Sequence, residues 1–334
     1  MGLRSGKLPP DLLRGLVLDR LGARRPETLV GAQLGIDAAA LAFPEDSAVV
    51  LTTDPITTAS SGAGRLAVHV VCNDLAVMGA EPVGVLATLL FPPGVASEAI
   101  AQLTAEIDVT ARGLNVEVLG GHTEVAPGLA QPLVVMAGVG RASRSRLITA
   151  AGARAGEALV LTKAAALEGS HILASDLADR LAPDVSSQAL AEARSYGAEL
   201  SVVPDARVAL DHGATAMHDP TEGGIIGALW ELAEASSCGF RVYAERIPVR
   251  DATRAICAAL EADPLRLIAS GALLVACPEG AALCATLAQH GIAATVIGEV
   301  TSSGRELIHP DGRVEAIDDL PRDELYRLLE VAGR

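Results

Sequence analysis

An asparagine and an aspartate stand side by side in an otherwise apolar segment, Asn73 followed by Asp74. The spacing of apolar residues predicts a buried helix over residues 66–78, in which Asp74 shares a face with Val70 and Val77. A carboxylate without a partner is costly to bury there, so Asp74 needs a cation or hydrogen-bond donors. The amide of Asn73 can bind a carbonyl or phosphate oxygen. The alternative is a hydrogen-bonded network inside the core, without a ligand.

Three more aspartates extend this pattern of hard oxygen donors. Asp37 lies in a Gly-Ile-Asp-Ala-Ala string, Asp54 ends a predicted strand over residues 47–53, and Asp219 precedes a predicted helix. Together with Asp74 they form the kind of ligand set that Mg²⁺ prefers when it bridges nucleotide phosphates. A single aspartate in such a place more often caps a turn or a helix, and that interpretation stays open for each of them.

A double glycine follows the strand predicted over residues 116–119. Two glycines, Gly120 and Gly121, predict a turn in which the backbone approaches a ligand closely and turns its N–H groups toward a phosphate. We include both glycines and the nearby Thr123 among the candidate cofactor-binding residues, and His122 among the candidate catalytic residues. Many hairpins carry the same glycine pattern, so a simple turn is the alternative.

The string His-Asp-Pro-Thr-Glu-Gly-Gly at residues 218–224 leads into a helix predicted over residues 222–235. The start of a helix offers free N–H groups and the positive end of its dipole to an anion. Asp219 is therefore a candidate catalytic residue, and Thr221 is placed to cap the helix. The alternative is that both residues act only as caps.

Known phosphate-binding fingerprints are missing from the sequence. It contains neither a Gly-x-x-x-x-Gly-Lys-Ser/Thr loop nor a dinucleotide fingerprint. Two lysines are candidates for reaching a phosphate: Lys7, on a mobile N-terminal arm, and Lys163, at the end of a predicted strand. A solvated surface role is the alternative for each.

The elements that must position these residues alternate between helices and strands. The length of 334 residues favours two domains. The stretch 141–156, rich in Ala, Gly, Ser and Arg, is the best candidate for their boundary. We therefore predict an α/β (α+β) protein with one domain over residues 1–150 and a second over residues 151–334.

Composition excludes several classes of function. A net charge of −15 and an aromatic content of 2% argue against a nucleic-acid partner. The sequence shows no membrane-spanning stretch and no secretory signal, so we expect a cytoplasmic protein that does not bind membranes. The five cysteines lack the spacing of a zinc site and are expected to be buried small hydrophobic residues.

Taken in order, these strings resemble the aminoimidazole ribonucleotide synthetase-like (PurM-like) superfamily. The resemblance covers residues 7 to about 300, and the Asn-Asp-Leu-Ala-x-Met-Gly-Ala-x-Pro string from Asn73 is its most specific part. Among the members, the HypE-like hydrogenase maturation group is the most similar, through His122 and the string that begins at Met217. The resemblance implies an N-terminal domain whose sheet pairs with its mate to form a barrel across a homodimer, and a C-terminal α/β domain covering the site.

The same resemblance implies ATP and Mg²⁺ as cofactors. It assigns Asp37, Asp54 and Asp74 to Mg²⁺, Asn73 and the Gly120-Gly121 turn to the phosphates, and Asp219 to the far side of the site. The sequence departs from the family at Ile36, where relatives carry an acid. It also ends in Glu-Val-Ala-Gly-Arg, without the terminal cysteine on which HypE works; the last cysteine is Cys284.

Three hypotheses follow for the function. The leading one is an ATP-dependent ligase, kinase or dehydratase that activates an oxygen of an unidentified small substrate. The second is a non-catalytic nucleotide-binding subunit that serves a maturation partner. The third is a hydrogenase maturation enzyme that uses another thiol, either Cys257, Cys284 or one on a partner.

Overall fold

The computed structural model describes residues 6–7, 10–33, 39–56 and 62–331. The chain divides into two compact units. The first unit comprises Met1–Leu75 and Ala80–Leu147, and the second comprises Ala76–Gly79 and Ile148–Arg334.

Fourteen strands and eleven α-helices are assigned in the described part of the chain, together with a π-helical turn, Arg14–Leu18, and short 3₁₀ turns. The strands are β1 Gly6–Lys7, β2 Thr28–Val30, β3 Ala40–Leu41, β4 Ser47–Ile56, β5 Glu81–Phe91, β6 Glu117–Val125, β7 Leu133–Ser143, β8 Ala158–Thr162, β9 Ala216–His218, β10 Gly239–Tyr243, β11 Leu274–Cys277, β12 Ala294–Thr301, β13 Arg305–Ile308 and β14 Val314–Ala316. The helices are α1 Pro10–Leu13, α2 Ala63–Val77, α3 Ser97–Gly113, α4 Leu167–Asp176, α5 Ala178–Leu181, α6 Ser187–Ser195, α7 Val203–Asp211, α8 Gly224–Ser236, α9 Asp251–Ala259, α10 Gly280–Gln289 and α11 Glu324–Val331.

The first unit is built on a five-stranded sheet of order β1-β6-β5-β7-β4. Strands β5 and β6 run parallel and are connected through α3, whereas the other neighbours are antiparallel. Along β7, buried residues such as Met136 and Gly138 alternate with partly exposed ones such as Ala137 and Val139. The buried side is the helix-covered face, and the other side is the open face of this sheet.

The second unit is a seven-stranded sheet of order β14-β13-β10-β12-β8-β11-β9 with apolar clusters on both faces. Leu159 and Leu161 of β8 pack with buried residues of α8 on one face. Val160, between them, packs with buried residues of α7 and α10 on the other face. The alternation of side chains along a strand therefore produces three layers, with the sheet in the middle.

Most predicted elements are confirmed, with shifts at their ends. The helix expected over residues 66–78 is α2, and the strand expected to stop before Asp54 continues as β4 to Ile56. Pro55 is tolerated in β4 because this strand lies at the edge of the sheet. None of the described helices combines the length and the apolar character that a membrane span requires. The expectation of a mixed α/β protein is confirmed.

Candidate functional site

Helix α2 brings Asp74 close to the sheet of the first unit. Gly138, on the helix-covered face of β7, makes this approach possible. A Cβ atom at this position would lie 3.1 Å from Leu75 Cδ1 and 3.2 Å from both Val71 Cβ and Thr52 Cγ2. Such contacts are tighter than most Cβ contacts, so a side chain here would require its neighbours on α2 or β4 to shift by a few tenths of an ångström.

Thr52 fixes the orientation of the Asp74 carboxylate. Its Oγ1 donates a hydrogen bond of 2.6 Å to Asp74 Oδ2. Thr52 faces the helix because it pairs with Gly138 on the helix-covered face of the sheet. A hydroxyl that orients a carboxylate in this way resembles the outer partners of metal ligands. Asp74 itself is half-buried.

Asp54 lies two residues beyond Thr52 on the same side of β4, about 7 Å further along the strand. Its Oδ2 is buried and has no hydrogen-bond partner among the described residues. A buried carboxylate oxygen without a partner is costly unless something binds it. Asp54 and Asp74 therefore suit Mg²⁺, which is commonly held by one or two carboxylates together with phosphates and water.

The two aspartates do not form a complete metal cage by themselves. Within the described ranges, no three His, Cys, Asp or Glu side chains lie close enough together to hold a metal ion. Asp37, the third predicted ligand, lies outside the described residues. Magnesium at Asp54 and Asp74 would thus depend on oxygens supplied by a nucleotide. Asn73 is completely buried, and its predicted contact with phosphate stays a prediction.

The predicted turn at Gly120 and Gly121 is wrong. Both glycines lie inside β6, which runs without a break from Glu117 to Val125. Gly121 has φ = +142°, and a Cβ there would lie 1.9 Å from the carbonyl oxygen of Ala87 on the neighbouring strand. The glycine is required by close strand pairing, not by a loop that opens toward a ligand. That either glycine contacts a nucleotide stays a prediction.

The strand places the residues after the glycines on opposite faces of the sheet. His122 pairs with Thr88 on the open face, where its Nε2 lies 3.1 Å from Glu124 Oε2. Thr123 is buried on the helix-covered face. Within this unit, His122 and Asp74 are therefore on different sides of the sheet. The backbone of Lys7 lies in β1 and pairs with Glu124 of β6, whereas the sequence predicted that Lys7 lies on a mobile arm.

The start of α8 in the second unit carries the predicted anion-binding string. Asp219 follows β9 and is buried. The predicted cap by the Thr221 side chain is wrong, since α8 has no side-chain cap and begins after Gly223. The Gly223 N–H instead donates to Asp323 Oδ2 at 2.7 Å. A carboxylate from a residue 100 positions away thus takes the place that was predicted for a cap or an anion.

His218, beside Asp219, is paired with Glu231 of α8 at 2.8 Å. Burial lowers the pKa of His218, but the hydrogen bond to Glu231 and the charge of Asp219 outweigh it and raise the pKa above its usual value.

A group of carboxylates near α8 went unnoticed in the sequence. We call Glu168, Asp219, Glu222 and Asp323 the acidic cluster; Glu168, Asp219 and Asp323 are buried, whereas Glu222 is exposed. Burial raises the pKa of Glu168 to about 7; the Ser270 hydroxyl opposes this shift, while Glu222, Asp323 and Asp219 add to it. Burial also raises the pKa of Asp323 to about 6. An acid inside an apolar Ala-Ala-Ala-Leu-Glu-Gly string was the one available sequence signal for Glu168.

Lys163 does not lie on the solvated surface that was its alternative interpretation. Its Nζ donates to the carbonyl oxygens of Ser201 and Gly271 at 2.7 and 2.8 Å and lies 3.2 Å from Asp205 Oδ1. These contacts join three segments of the second unit, so the ammonium group is committed to holding them together.

The five cysteines match the expectation of small, largely buried residues. Cys72, Cys257 and Cys277 are buried, while Cys238 and Cys284 are partly buried. Burial raises the pKa of Cys72 and Cys257 to about 12, and it also raises the pKa of Cys284. Thiols held in the neutral form are poor nucleophiles.

Two family models match most of the chain. Residues 35–142 match the N-terminal domain of AIR synthase related proteins, and residues 154–309 match the C-terminal domain. A hydrogenase expression/formation protein of Methanocaldococcus jannaschii is 28% identical over 91% of either chain. Carbamoyl dehydratase HypE of Cupriavidus necator is 29% identical over 88% of this chain and 86% of its own.

Solved structures share the fold. HypE in complex with ATP superimposes with a TM-score of 0.78 at 24% identity, covering 96% of this chain and 98% of its own. HypE in a HypE–HypF complex gives a TM-score of 0.70 at 20% identity, over 83% of this chain and 93% of its own. The two matching domain models and the shared architecture lead to one conclusion. The chain belongs to the AIR synthase related protein family, among relatives that include hydrogenase maturation proteins.

Proposed function

We propose that the protein is an ATP- and Mg²⁺-dependent enzyme that activates an amide oxygen by phosphoryl transfer, the chemistry of a carbamoyl dehydratase. The observation that carries this proposal is the pair of aspartates in the first unit. Asp74 is held by Thr52 at 2.6 Å, and Asp54 keeps a buried oxygen without a hydrogen-bond partner. Relatives that carry the name carbamoyl dehydratase and a HypE structure that contains ATP support the same reaction class.

In the proposed reaction, the γ-phosphoryl group of ATP moves to the oxygen of a carbamoyl group. The C–O bond then breaks, phosphate leaves with that oxygen, and the nitrogen gives up both protons to become a nitrile. When bound, Mg²⁺ supplies neutralisation of charge on the nucleotide phosphates. Asp54 and Asp74 would hold the metal, with Thr52 orienting Asp74. The assignment of His122 and Asp219 as catalytic residues stays a prediction, and His122 lies on the other side of the first unit's sheet from Asp74.

The carbamoyl group would reach the site on another molecule. All five thiols are buried or partly buried, and burial holds the pKa of Cys257 near 12. This argues against the hypothesis that Cys257 or Cys284 carries the substrate. A relative bound to HypF shows that a maturation protein of this family can meet a partner. We therefore favour a small-molecule or partner-borne carbamoyl group as substrate.

The open face of the first sheet supports assembly into a homodimer. Leu51, Val49 and Leu86 on this face are 69%, 53% and 38% exposed. We expect Leu51→Glu to convert a dimer to monomers in light scattering, whereas Val109→Glu, on an exposed position of α3, leaves the mass unchanged. A monomeric wild-type protein would contradict this assembly.

The proposed function is tested by ATP binding and turnover with and without Mg²⁺. Asp74→Asn should abolish Mg²⁺-dependent binding, because the amide lacks the charge that a cation needs. Asp46→Asn, an exposed position before β4 in the same unit, is the matched control and should behave as wild type. Unchanged binding in a folded Asp74→Asn variant would refute the role of Asp74.

A non-catalytic maturation subunit is the second candidate function. The absence of an accessible, activated thiol among the described residues favours it. Turnover separates the two candidates: release of phosphate when a carbamoylated thiol compound is added supports the enzyme. Tight, Mg²⁺-dependent ATP binding without phosphate release in the presence of carbamoylated thiols would support the subunit.

A further inference from the structure

Strand β14 lies at one end of the seven-stranded sheet and is paired only with β13. The Ile317 N–H donates to the Arg305 carbonyl oxygen at 2.9 Å, and this bond sets the pattern of the ladder between the two strands. In an antiparallel pair, the residues that alternate with the bonded ones point their N–H and C=O groups away from the partner strand. Val314 and Ala316 therefore present two donors and two acceptors at the open edge of the sheet.

These four backbone groups have no hydrogen-bond partner within the described part of the chain. Val314 is 56% exposed, and Ala316 is exposed as well. The strand carries neither a lysine nor a proline, two residues that commonly block an edge against pairing with another chain. Because β14 has only three residues, the edge can accept a short strand.

An open groove of about 420 Å³ lies beside β14. Residues 315–322 form one wall, and Ile226 and Arg266 contribute to the other. Ile226 and Ile317 are buried, while Leu320 is 48% exposed. The groove is comparable in volume to smaller ligand pockets, which start at ~300 Å³. It can therefore accept an apolar side chain of a strand that is added to β14.

The charge that is left unpaired in the groove is negative. Both arginines that line it are already paired with carboxylates. Asp318 and Asp319 are exposed, and their carboxylates have no hydrogen bond or ion pair among the described residues. The groove is therefore complementary to a cationic ligand and repels an anionic one.

A second copy of this chain fits the open edge poorly. If Val314 of one copy paired with Ala316 of the other in an antiparallel ladder, Asp311 would lie opposite Asp319. Like charges directly opposite each other destabilise a pair of strands. The net charge of −15 adds repulsion between copies. A basic segment of another protein meets neither obstacle.

We propose that the open edge of β14 and the groove beside it bind a short extended segment of a partner protein, in which Lys or Arg alternates with apolar residues. The backbone of this segment would pair with Val314 and Ala316, as in other cases of strand addition. An apolar side chain would contact Leu320, and a basic one would approach Asp318 and Asp319. This surface belongs to the second unit and does not depend on the magnesium site proposed for the first.

Binding of a fluorescently labelled hexapeptide, Lys-Val-Lys-Val-Lys-Val, to the whole protein tests the proposal by fluorescence anisotropy. Ala316→Pro should weaken binding about tenfold, because it removes a backbone donor from the open edge. Proline is tolerated on an edge strand where the N–H faces solvent, so the ladder with β13 should persist. Ala316→Thr keeps the N–H and is the matched control, with affinity near that of wild type.

The charge of the groove is tested separately. The double variant Asp318→Asn/Asp319→Asn should weaken binding about fivefold, because two exposed ion pairs are lost. This difference should disappear at high salt, which screens exposed charges. Asp184→Asn/Glu245→Gln removes two exposed acids elsewhere in the second unit and should bind as wild type does. A peptide with Glu in place of Lys should not bind.

Amide exchange measured by NMR shows what covers the edge. The bound peptide should protect the amides of Val314 and Ala316, whereas the amide of Ile317 is protected with and without it. Binding that leaves the first two amides exchanging freely would overturn the proposal, and so would failure of the Lys-Val peptide to bind. Protection that rises with protein concentration in the free protein would assign the edge to a second copy and also overturn it. If Ala316→Pro does not fold, a peptide with N-methylated valines replaces it; affinity equal to that of the parent peptide would exclude strand addition.

Discussion

The two units each gather carboxylates, but they balance the charge in different ways. In the first unit, Asp74 is half-buried and receives a hydrogen bond from Thr52, and Asp54 has a buried oxygen to offer. In the second unit, Glu168, Asp219 and Asp323 of the acidic cluster are buried, and burial raises the pKa of Glu168 to about 7. The carboxylates of the first unit are suited to binding a cation, whereas those of the second unit are suited to binding protons. The number of acids in a region therefore says less about its chemistry than their burial and their donors do.

The sharpest test of this contrast is the effect of each group on Mg²⁺-dependent ATP affinity. We expect Asp54→Asn to lower that affinity by more than about 100-fold, because the loss of an outer partner of a metal ligand alone typically costs 10- to 100-fold. Glu168→Gln should leave it within about twofold, because its carboxyl is balanced by a proton. Isothermal titration calorimetry measures both. Equal losses in the two variants would erase the distinction between the groups.

Glu168 should also shape the pH dependence of stability. The pKa of Glu168 is about 7 in the folded protein, against 4.5 when exposed. Its contribution to the free energy of unfolding is therefore fully present below about pH 4.5 and is lost as the pH rises through 7. Over that window wild type should lose about 3 kcal/mol in its free energy of unfolding. Glu168→Gln should lack this loss. Urea unfolding at pH 5 and pH 8 gives the difference, and parallel curves for the two proteins would show that Glu168 does not titrate in this range.

The sequence predicted the first group far better than the second. The apolar periodicity of residues 66–78 is local, so it located α2 and placed Asp74 on a mostly apolar helix. Thr52 and Asp54 lie on the same side of β4, along which partly buried residues alternate with exposed ones. The contact between Thr52 and Asp74 joins residues only 22 positions apart. Local patterns therefore located Asp54 and Asp74, whereas the hydrogen bond between Thr52 and Asp74 was not predicted.

The acidic cluster depends on contacts that no local pattern contains. Asp323 reaches Gly223 across 100 positions, and nothing near residue 323 predicts where the chain returns. The prediction of a turn at the glycines of β6 failed for a related reason. Whether Gly120 and Gly121 form a turn or continue a strand is decided by the partner strand, where Ala87 leaves no room for a Cβ at Gly121. Tertiary pairing overrode the local turn signal.

The smallest expected effect is that of replacing Thr52. Such a variant distinguishes a residue that positions Asp74 from a residue that would bind the metal directly. Thr52→Val removes the hydroxyl that holds Asp74 at 2.6 Å and keeps the shape of the side chain. A lost outer partner of a metal ligand typically costs 10- to 100-fold, so we expect Mg²⁺-dependent ATP affinity to fall by about tenfold.

Thr52→Ser is the matched control, because it restores the donor and should recover most of the affinity. If the valine and serine variants bind alike, the hydroxyl does not act through Asp74, and the half-buried carboxylate must be oriented by its other neighbours. Recovery by serine alone would show that the hydroxyl of residue 52 acts through its hydrogen bond to Asp74. In the acidic cluster, Glu168 Oε2 has no hydrogen-bond partner among the described residues, and burial raises the pKa of this carboxyl to about 7.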